Sequence, residues 1–559
     1  MEANRKAGLT LVRESFLRRQ QSHGWVKWVA GGLLLAVTTA AVIVEVGLRR
    51  AEPFLRARII QALSDRFHAR VELDNFHLSL VNGLWAQGKG LRIWPSANVA
   101  DLAVPAGQGE PLIRLEEFRF HAPLRYVPGK PFHISLVEMK GLSIHLPPRS
   151  HFDHAFADAG QPADRTAALV SLEVETIECT GADLVLETDK PGKLPLEFAI
   201  AHLKLTNIAS GGAMGFDAEL TNPKPKGTIY TTGSFGPWHG TDLGEVPISG
   251  DYRLENADLV TFKGIAGTLN SIGYFDGTLR HLAVDGVTDT PDFRLTHFGH
   301  AMPLTTRYHA YVDGTNGDTW LDPVDATLGR SHFTARGQIV RLPGAVVEGA
   351  QQYGGHDIAL MVNVDKARIE DFLRLASRSG EALLSGNMTM KTSLHIPPGP
   401  APLHERLELN GNFALDQALF SNTKMQGRIA KLSLHGQGRP EEVRSTDPAT
   451  ILSAMQGNFQ LASGVITLPT LEFTVPGAKI QLQGTYGLDG GALDFDGTAK
   501  MEAPVSRMVG GWKGMLLAPA DGFLKKSGVG TELPIHIDGT REQPHFGLDF
   551  DRMMPDEKQ

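Results

Sequence analysis

Hydrophobic and polar residues follow two different periods along this chain, and the change between them divides the sequence. Residues Trp28–Val44 form a run without a charged side chain, in which Thr38 and Thr39 are the polar residues. A bilayer core about 30 Å thick needs roughly 20 apolar residues in helical conformation. With interfacial Trp25 on one side, the run predicts one transmembrane helix over residues 25–48.

Basic residues dominate the segment before this run. They are opposed by Glu2 and Glu14, and they comprise Arg5, Lys6, Arg13, Arg18, Arg19 and Lys27. This bias predicts a cytoplasmic tail over residues 1–24. A cleaved signal peptide is the alternative, but the run is longer than a usual signal core and no small-residue cleavage site follows it. Both interpretations predict that the rest of the chain is exported.

A second helix is predicted directly after the first. Within Phe54–Phe67, the residues Leu55, Ile59 and Leu63 recur at helical spacing, with Arg56 on the other side. Its apolar side can pack on the body of the protein or lie at the membrane interface. The spacing is compatible with both alternatives.

From Arg70 onward the period becomes 2, which predicts strands. Val71 and Leu73 share one face, whereas Phe76, Leu78 and Leu80 have the opposite parity, so an irregularity is predicted near Asp74–Asn75. Similar short pieces recur as far as Phe550. Their apolar members include Ile113 and Leu115, Phe118 and Phe120, Ile134 and Leu136, Leu142, Ile144 and Leu146, Leu172, Val174 and Ile177, Leu184 and Leu186, Leu409, Phe413 and Leu415, and Ile429, Leu432 and Leu434.

Helices and loops are predicted at only a few places in the body. Lys366–Ser377 has helical spacing, Ala503–Lys526 is predicted as a helix or loop, and Pro147–Asp164 is predicted as a loop. Asn316–Gly317 predicts a two-residue hairpin turn. Short strands joined by tight turns indicate an all-β, mainly antiparallel body. Each sheet then has one apolar face, which either fills a sandwich core or lines an open groove; pattern alone leaves both open, and filled cores are commoner.

Composition narrows the range of functions. The net charge of the chain is −8, which argues against a nucleic-acid partner, because nucleic-acid binding requires a concentrated basic surface. Cys179 is the single cysteine, so an intrachain disulfide, a cysteine-cluster zinc site and a CxxC redox motif are excluded. An exported chain of this kind depends on burial and strand pairing for its stability. Cys179 itself is predicted to be a small buried hydrophobic residue.

Catalytic motifs are not found in the sequence. HExxH, GxSxG and Walker A patterns are missing. The acidic cluster from Asp313 to Asp322 could hold Ca²⁺, but the Asn316–Gly317 turn already accounts for it. We therefore predict no catalytic residue, no metal and no cofactor. An exported enzyme that uses the cluster around Asp318 remains an alternative hypothesis.

The order of these elements resembles the AsmA-like family of diderm bacteria. After the basic tail and two helices, the resemblance is carried by RVELDNFHLSLVNGLWAQGKGLRIW (70–94) and LEVETIECTGADLVLE (172–187). It continues in KGIAGTLNSIGYFDGTLRHLAVDGVTDTPDF (263–293) and VPGAKIQLQGTYGLDGGALDFDGTAKMEAPVSRMVGG (475–511). The resemblance implies an elongated, curved, open β-sheet with an apolar concave face, anchored in the inner membrane and projecting into the periplasm. It also implies a function in phospholipid movement and outer-membrane integrity.

With this resemblance the chain divides into predicted modules at 49–150, 151–365 and 366–559. The expected function is to bind or conduct phospholipid, or another envelope lipid, along an apolar β-groove. The candidate groove residues are Phe76, Leu78, Leu80, Leu142, Ile144 and Leu146. The alternative is a non-enzymatic scaffold for outer-membrane or surface proteins, which could add a strand to an exposed sheet edge.

Overall fold

The structure is a computed structural model, and it describes the chain in segments. The described residues are 50, 52–57, 59–61, 63–64, 69–80, 84–94, 111–122, 132–146, 172–186, 195–208, 212–237, 243–262, 264–296, 300–314, 316–342, 345–347, 350–352, 354–377, 381–509, 530–540 and 543–548. They belong to two compact units. The first takes the described residues of 1–197 and 202–210, and the second those of 198–201 and 211–559. The module bounds predicted at 150 and 365 stay predictions.

The first unit is built on a small, mixed sheet. Its strands are β1 (Val71–Ser79), β2 (Leu84–Ile93), β3 (Ile113–Ala122), β4 (Phe132–Leu146) and β5 (Leu172–Leu186), while β6 (Leu196–Thr206) contributes residues to both units. Strands β1 to β4 pair antiparallel in chain order. Strands β4 and β5 run parallel, an exception to the mainly antiparallel pairing that the sequence predicts.

Each of the strands β1 to β5 has one residue at which the regular pairing is interrupted, and these five residues lie side by side across the sheet. Asp74 lies opposite Gly90, and Glu116, Gly141 and Gly181 continue the line. The three glycines have φ values of 68°, 64° and 64°, a left-handed conformation that glycine adopts easily. Apolar parity changes across this line, which confirms the irregularity predicted near Asp74–Asn75. The strand pieces predicted separately within 113–120, 134–146 and 172–186 are therefore single strands.

Helical residues between 50 and 64 pack on the first sheet. Ile59, Ile60 and Leu63 pack against a buried core cluster that comprises Ala69, Val71, Leu73, Phe76, Ala86, Leu91, Ile93, Leu115 and Phe118. The backbone N–H of Leu78 donates to the Glu52 carboxylate at 2.9 Å, which fastens the helix to the end of β1. The second predicted helix thus packs its apolar side on the body, one of its two predicted alternatives.

Other N-terminal predictions fall on residues that the structure does not describe. The predicted tail 1–24, the apolar run Trp28–Val44 and the predicted loop Pro147–Asp164 lie outside the described residues. Within the described ranges, none of the helices has both the length and the apolar character needed to cross a bilayer.

A long antiparallel meander forms the second unit. Its strands are β7 (Met214–Pro223), β8 (Lys226–Phe235), β9 (Pro247–Asp258), β10 (Ile265–Ala266), β11 (Thr268–Thr278), β12 (His281–Leu295), β13 (Met302–Val312), β14 (Thr319–Leu328), β15 (Ser331–Leu342), β16 (Ala345–Val347), β17 (Ala350–Gln352), β18 (Gly355–Arg368), β19 (Leu384–Ile396), β20 (Glu408–Phe420), β21 (Ser453–Ala462), β22 (Val465–Val475), β23 (Ala478–Gly487), β24 (Ala492–Met501), β25 (Thr531–Thr540) and β26 (Pro544–Leu548).

Each long strand of this unit pairs with the next long strand in the chain. The order runs β7, β8, β9, β11 to β15 and β18 to β26, and every pair is antiparallel. The short β10 pairs with β12, and β16 pairs with β17 as a separate hairpin. The prediction of a mainly antiparallel β body is confirmed for this unit.

Short helices connect some of these strands: α1 (Ile369–Leu375), α2 (Leu403–Arg406), α3 (Thr423–Gly436) and α4 (Val505–Val509). The predicted helix at 366–377 corresponds to α1. The segment Ala503–Lys526 contains α4, and its residues 510–526 lie outside the described residues. The strand predicted from Ile429, Leu432 and Leu434 is wrong, because these residues lie in α3. Its buried side includes small and polar residues such as Ser433, so the apolar residues alone do not show helical spacing in the sequence.

Asn422 caps the first turn of α3. Its Oδ1 accepts hydrogen bonds from the backbone N–H groups of Lys424 at 3.0 Å and Met425 at 3.1 Å. Asn422→Ala is expected to destabilise α3 by about 1 kcal/mol, which corresponds to about fivefold faster amide exchange across 423–436. Hydrogen exchange with mass spectrometry measures this change. Lys424→Ala alters an exposed neighbour and should leave exchange unchanged, so equal effects of both variants would contradict the capping role.

The predicted hairpin at Asn316–Gly317 exists, but its loop is longer than two residues. Strand β13 ends at Val312 and β14 begins at Thr319, and the backbone N–H of Asp313 donates to the Asp318 carbonyl at 2.8 Å. Asn316 Oδ1 accepts from the Asp318 N–H at 2.7 Å. Asp318 Oδ1 accepts from the backbone N–H of Arg341 at 2.8 Å. These carboxylate and amide groups therefore organise the turn.

Candidate functional site

Cross-strand pairing in the second unit separates the side chains into two faces. Directly paired residues lie on the same face of a sheet, and alternate residues lie on opposite faces. We call one face the apolar face. Its mid-strand members include Ile229, Leu254, Phe275, Val284, Val324, Leu360, Met390, Phe413, Phe459, Leu471, Leu482 and Ile535.

The opposite face, called the polar face, carries charged and amide side chains. Its members at neighbouring positions include Arg253, Asp285, Arg307, Asp325, Arg336, Lys391, Asn412, Asn458, Gln481 and His536. The mid-strand members of the apolar face are all uncharged, from β8 to β25. The polar face also has exposed apolar side chains, namely Ile272, Tyr274, Val287, Trp320 and Met361, so the two faces differ mainly in that charged residues lie on one of them.

Along the middle of the strands most side chains of the apolar face are partly exposed, whereas Ser271, Ala310, Ala335 and Thr392 are buried. Every mid-strand residue by which the apolar face was defined has intermediate burial, whereas side chains of a filled core are mostly buried completely. Phe413 and Phe459 illustrate this, since their rings contact each other at 6.1 Å between centroids and are still partly exposed. The described residues thus leave an accessible apolar surface rather than a closed sandwich core.

One edge of the apolar face is covered by helices. Ile369 and Phe372 of α1 pack on a cluster formed by Val364, Ala367, Met388, Leu415 and Ala418. Ile429 of α3 lies with Val475, Ala478, Ala499 and Met501 in a second cluster. These residues are at the ends of their strands on the same side of the sheet. The opposite strand ends, at Ile358, Ile396 and Leu409, are only partly buried.

A buried acidic pair fastens α1 to this edge. Asp371 is 1% exposed, and its Oδ2 accepts hydrogen bonds from Ser331 Oγ at 2.7 Å and the Arg330 N–H at 3.0 Å. Glu370 accepts from Arg368 Nε at 2.9 Å. Burial alone would raise the pKa of Glu370, but hydrogen bonds from its own backbone N–H and Arg368 hold the pKa below its usual value. Both carboxylates therefore have a structural role, which is to hold α1 at the edge of the sheet.

Glycines at mid-strand positions show which way the sheet bends. A Cβ added to Gly484 would lie 2.1 Å from the Asp494 carbonyl oxygen on the neighbouring strand, and one added to Gly497 would lie 1.9 Å from the Gln481 oxygen. Both residues point to the apolar face. The neighbouring backbone therefore approaches from that side, so the sheet bends toward its apolar face here. Glycine kinks of this kind introduce curvature into sheets.

Polar-face side chains mostly pair with one another. His395 lies 2.8 Å from Glu408 and 2.9 Å from Asp357, and these carboxylates raise the pKa of His395. An open depression of about 770 Å³ lies over this face between β19 and β24. Within it, Asn458 Nδ2 donates to Thr470 Oγ1 at 2.9 Å. We find no group of three potential metal ligands in the described part of the chain.

The candidate groove residues predicted from sequence all lie in the first unit. Phe76 is 6% exposed and belongs to the core covered by the helix, with Leu78 and Leu142 packed against it. Leu80 follows the end of β1 and is 37% exposed. Ile144 is partly buried in β4, and Leu146 ends that strand. The longer series of partly exposed apolar residues is in the second unit, where the sequence has the same alternation.

Cys179 lies in β5 and is 1% exposed. Burial raises the pKa of its thiol, so the reactive thiolate is disfavoured. This agrees with the predicted role of Cys179 as a small buried side chain.

Comparison of the chain with known proteins identifies no relative. No protein-family model matches the chain, and neither a curated protein nor a solved structure matches it.

Proposed function

We propose that this protein binds or conducts phospholipid, or another envelope lipid, along the apolar face of its second unit. The proposal rests on one observation: the apolar face continues from β8 to β25 with uncharged mid-strand side chains, most of which are partly exposed. An acyl chain placed there leaves water, which is worth about 0.8 kcal/mol for each buried CH₂ group. A head group can remain in water at the edge opposite α1 and α3, where the strand ends at Ile358, Ile396 and Leu409 are only partly buried.

This chemistry needs no catalytic group. Strand pairing supplies the rigid support, the glycine kinks curve the sheet, and the alternating side chains provide a continuous apolar surface. The resemblance to the AsmA-like family supports the same function. It also implies that the protein is anchored in the inner membrane, that its body lies in the periplasm, and that it helps to maintain the outer membrane. The competing function is that of a scaffold for outer-membrane proteins. The molecules that can be crosslinked to the apolar face in the cell envelope distinguish the two functions.

Photo-crosslinking in the intact envelope tests the proposal. A photoreactive amino acid is placed at Leu360, Phe413 or Leu482 on the apolar face of the full-length protein, in cells whose phospholipids carry radioactive phosphate. Each position has an adjacent control on the polar face, namely Met361, Ala414 and Gln483. We expect phospholipid adducts at the apolar-face positions and a small fraction of that yield at the controls.

Two outcomes would contradict the proposal. Equal adducts on both faces would indicate nonspecific contact with lipid. Protein adducts without lipid at the apolar-face positions would favour the scaffold function.

A further inference from the structure

Two tyrosines on the apolar face meet across two intervening strands. Tyr252 of β9 pairs with Gly273, Gly273 with Gly286, and Gly286 with Tyr308 of β13. A Cβ on Gly286 would lie 2.6 Å from the Tyr252 hydroxyl and 2.8 Å from the Tyr308 hydroxyl. The side chains therefore extend along the sheet over the glycines, and their hydroxyl groups are hydrogen-bonded to each other above Gly286.

The hydrogen bonds of this pair have a defined direction. Ser271, which is 5% exposed, donates from Oγ to the Val287 carbonyl at 3.1 Å. A hydroxyl has one proton, so Ser271 must accept from Tyr252, whose hydroxyl lies 3.1 Å away. Tyr252 then accepts from Tyr308. Burial also raises the pKa of Tyr252, which keeps its hydroxyl protonated.

In this series of hydrogen bonds Tyr308 is the first donor, and its hydroxyl proton is directed to Tyr252. Its remaining capacity is the lone pairs of the oxygen, so a new partner must be a hydrogen-bond donor. Tyr308 lies four residues, or about 13 Å of strand, from Val312, which is at the edge opposite α1 and α3. A lipid whose head group stays at this edge presents the middle of an acyl chain, rather than the head group, to Tyr308.

We propose that Tyr308 and Tyr252 form a subsite that selects an acyl chain bearing a hydroxyl group. This inference rests on the proposed lipid function and names the ligand class for one part of the surface. The hydroxyl on the chain donates to Tyr308 Oη, and its own lone pairs receive no proton from the tyrosine pair. A keto group at the same place on the chain has no proton to donate and is discriminated against.

Competition between three fatty acids tests the subsite on the full-length protein held in an amphipathic polymer. Stearate, 12-hydroxystearate and 12-oxostearate compete with tritiated stearate. We expect 12-hydroxystearate to displace it about fivefold better than 12-oxostearate. Tyr308→Phe should abolish this preference. Tyr252→Phe frees the Tyr308 proton, so 12-oxostearate should then bind nearly as well as 12-hydroxystearate.

Tyr486→Phe is the matched control, because Tyr486 lies on the same face of β23, and it should keep the preference. Equal displacement by all three acids in the native protein would overturn the subsite while leaving the lipid function intact. Preference for 12-oxostearate would also overturn it, since Tyr308 would then be a donor. Failure of every acid to bind would instead count against the lipid function itself.

Discussion

Phe413→Asp is expected to reduce phospholipid adducts at Leu482 at least about tenfold in the crosslinking experiment. Phe413 and Leu482 belong to one cross-strand row, joined through Gly457 and Leu471. An acyl chain lying over this row would force a carboxylate out of water, which costs several kcal/mol for an ionised group. Each 1.4 kcal/mol corresponds to about a tenfold change in binding. The loss should therefore extend beyond the substituted position.

The control for this experiment is the next residue of the same strand. Ala414 is also partly buried, but it lies on the polar face, so Ala414→Asp should leave the adducts nearly unchanged. Protection from proteolysis, measured for both variants, shows whether the sheet remains folded. If Ala414→Asp reduced the adducts as much as Phe413→Asp, or if neither variant did, lipid would not follow the apolar face.

Alternation of apolar and polar residues was sufficient to predict strands in most of the body, because few structures other than a strand produce that period. It was insufficient to set strand length. In β4 and β5 the parity changes at Gly141 and Gly181, where a left-handed residue realigns the side chains without ending the strand. A parity change looks like two strands in sequence, and only the pairing partner shows that the strand continues.

Helix α3 was missed for a different physical reason. Its buried side includes Gln426 and Ser433, which are polar. Ser433 Oγ donates to the Pro476 carbonyl at 2.7 Å, and Gln426 Nε2 donates to the Ile451 carbonyl at 2.8 Å. Burial of these groups is tolerated because distant backbone acceptors satisfy them. Sequence spacing gives no sign of such partners.

The choice between a filled core and an open surface could not be made from sequence either, because both produce the same alternation. Burial distinguishes them. Phe76, in the first unit, is covered by a helix, whereas Phe413, in the second, remains partly exposed. The first set of candidate groove residues came from a segment with strong alternation, and strong alternation does not report what covers a face.

Curvature of the second sheet leads to a prediction about its glycines. Gly484→Ala is expected to destabilise the region around β23 and β24 by about 2–3 kcal/mol. The new methyl group would lie 2.1 Å from the Asp494 carbonyl oxygen and 2.7 Å from the backbone of Phe495. Backbone atoms cannot rotate away as the end of a side chain can. The strands must therefore separate, which weakens their pairing and flattens the bend.

Gly487→Ala, in the same strand, provides the control. A Cβ there would have ordinary contacts, the nearest at 3.5 Å from the Asp489 carbonyl, so its effect should stay within about 0.5 kcal/mol. Hydrogen exchange over β22 to β25 measures both variants, and only Gly484→Ala should accelerate it strongly. If Gly484→Ala left exchange unchanged, the neighbouring strand would not press against the apolar face at this position. The bend toward that face would then need a cause other than the glycine kinks.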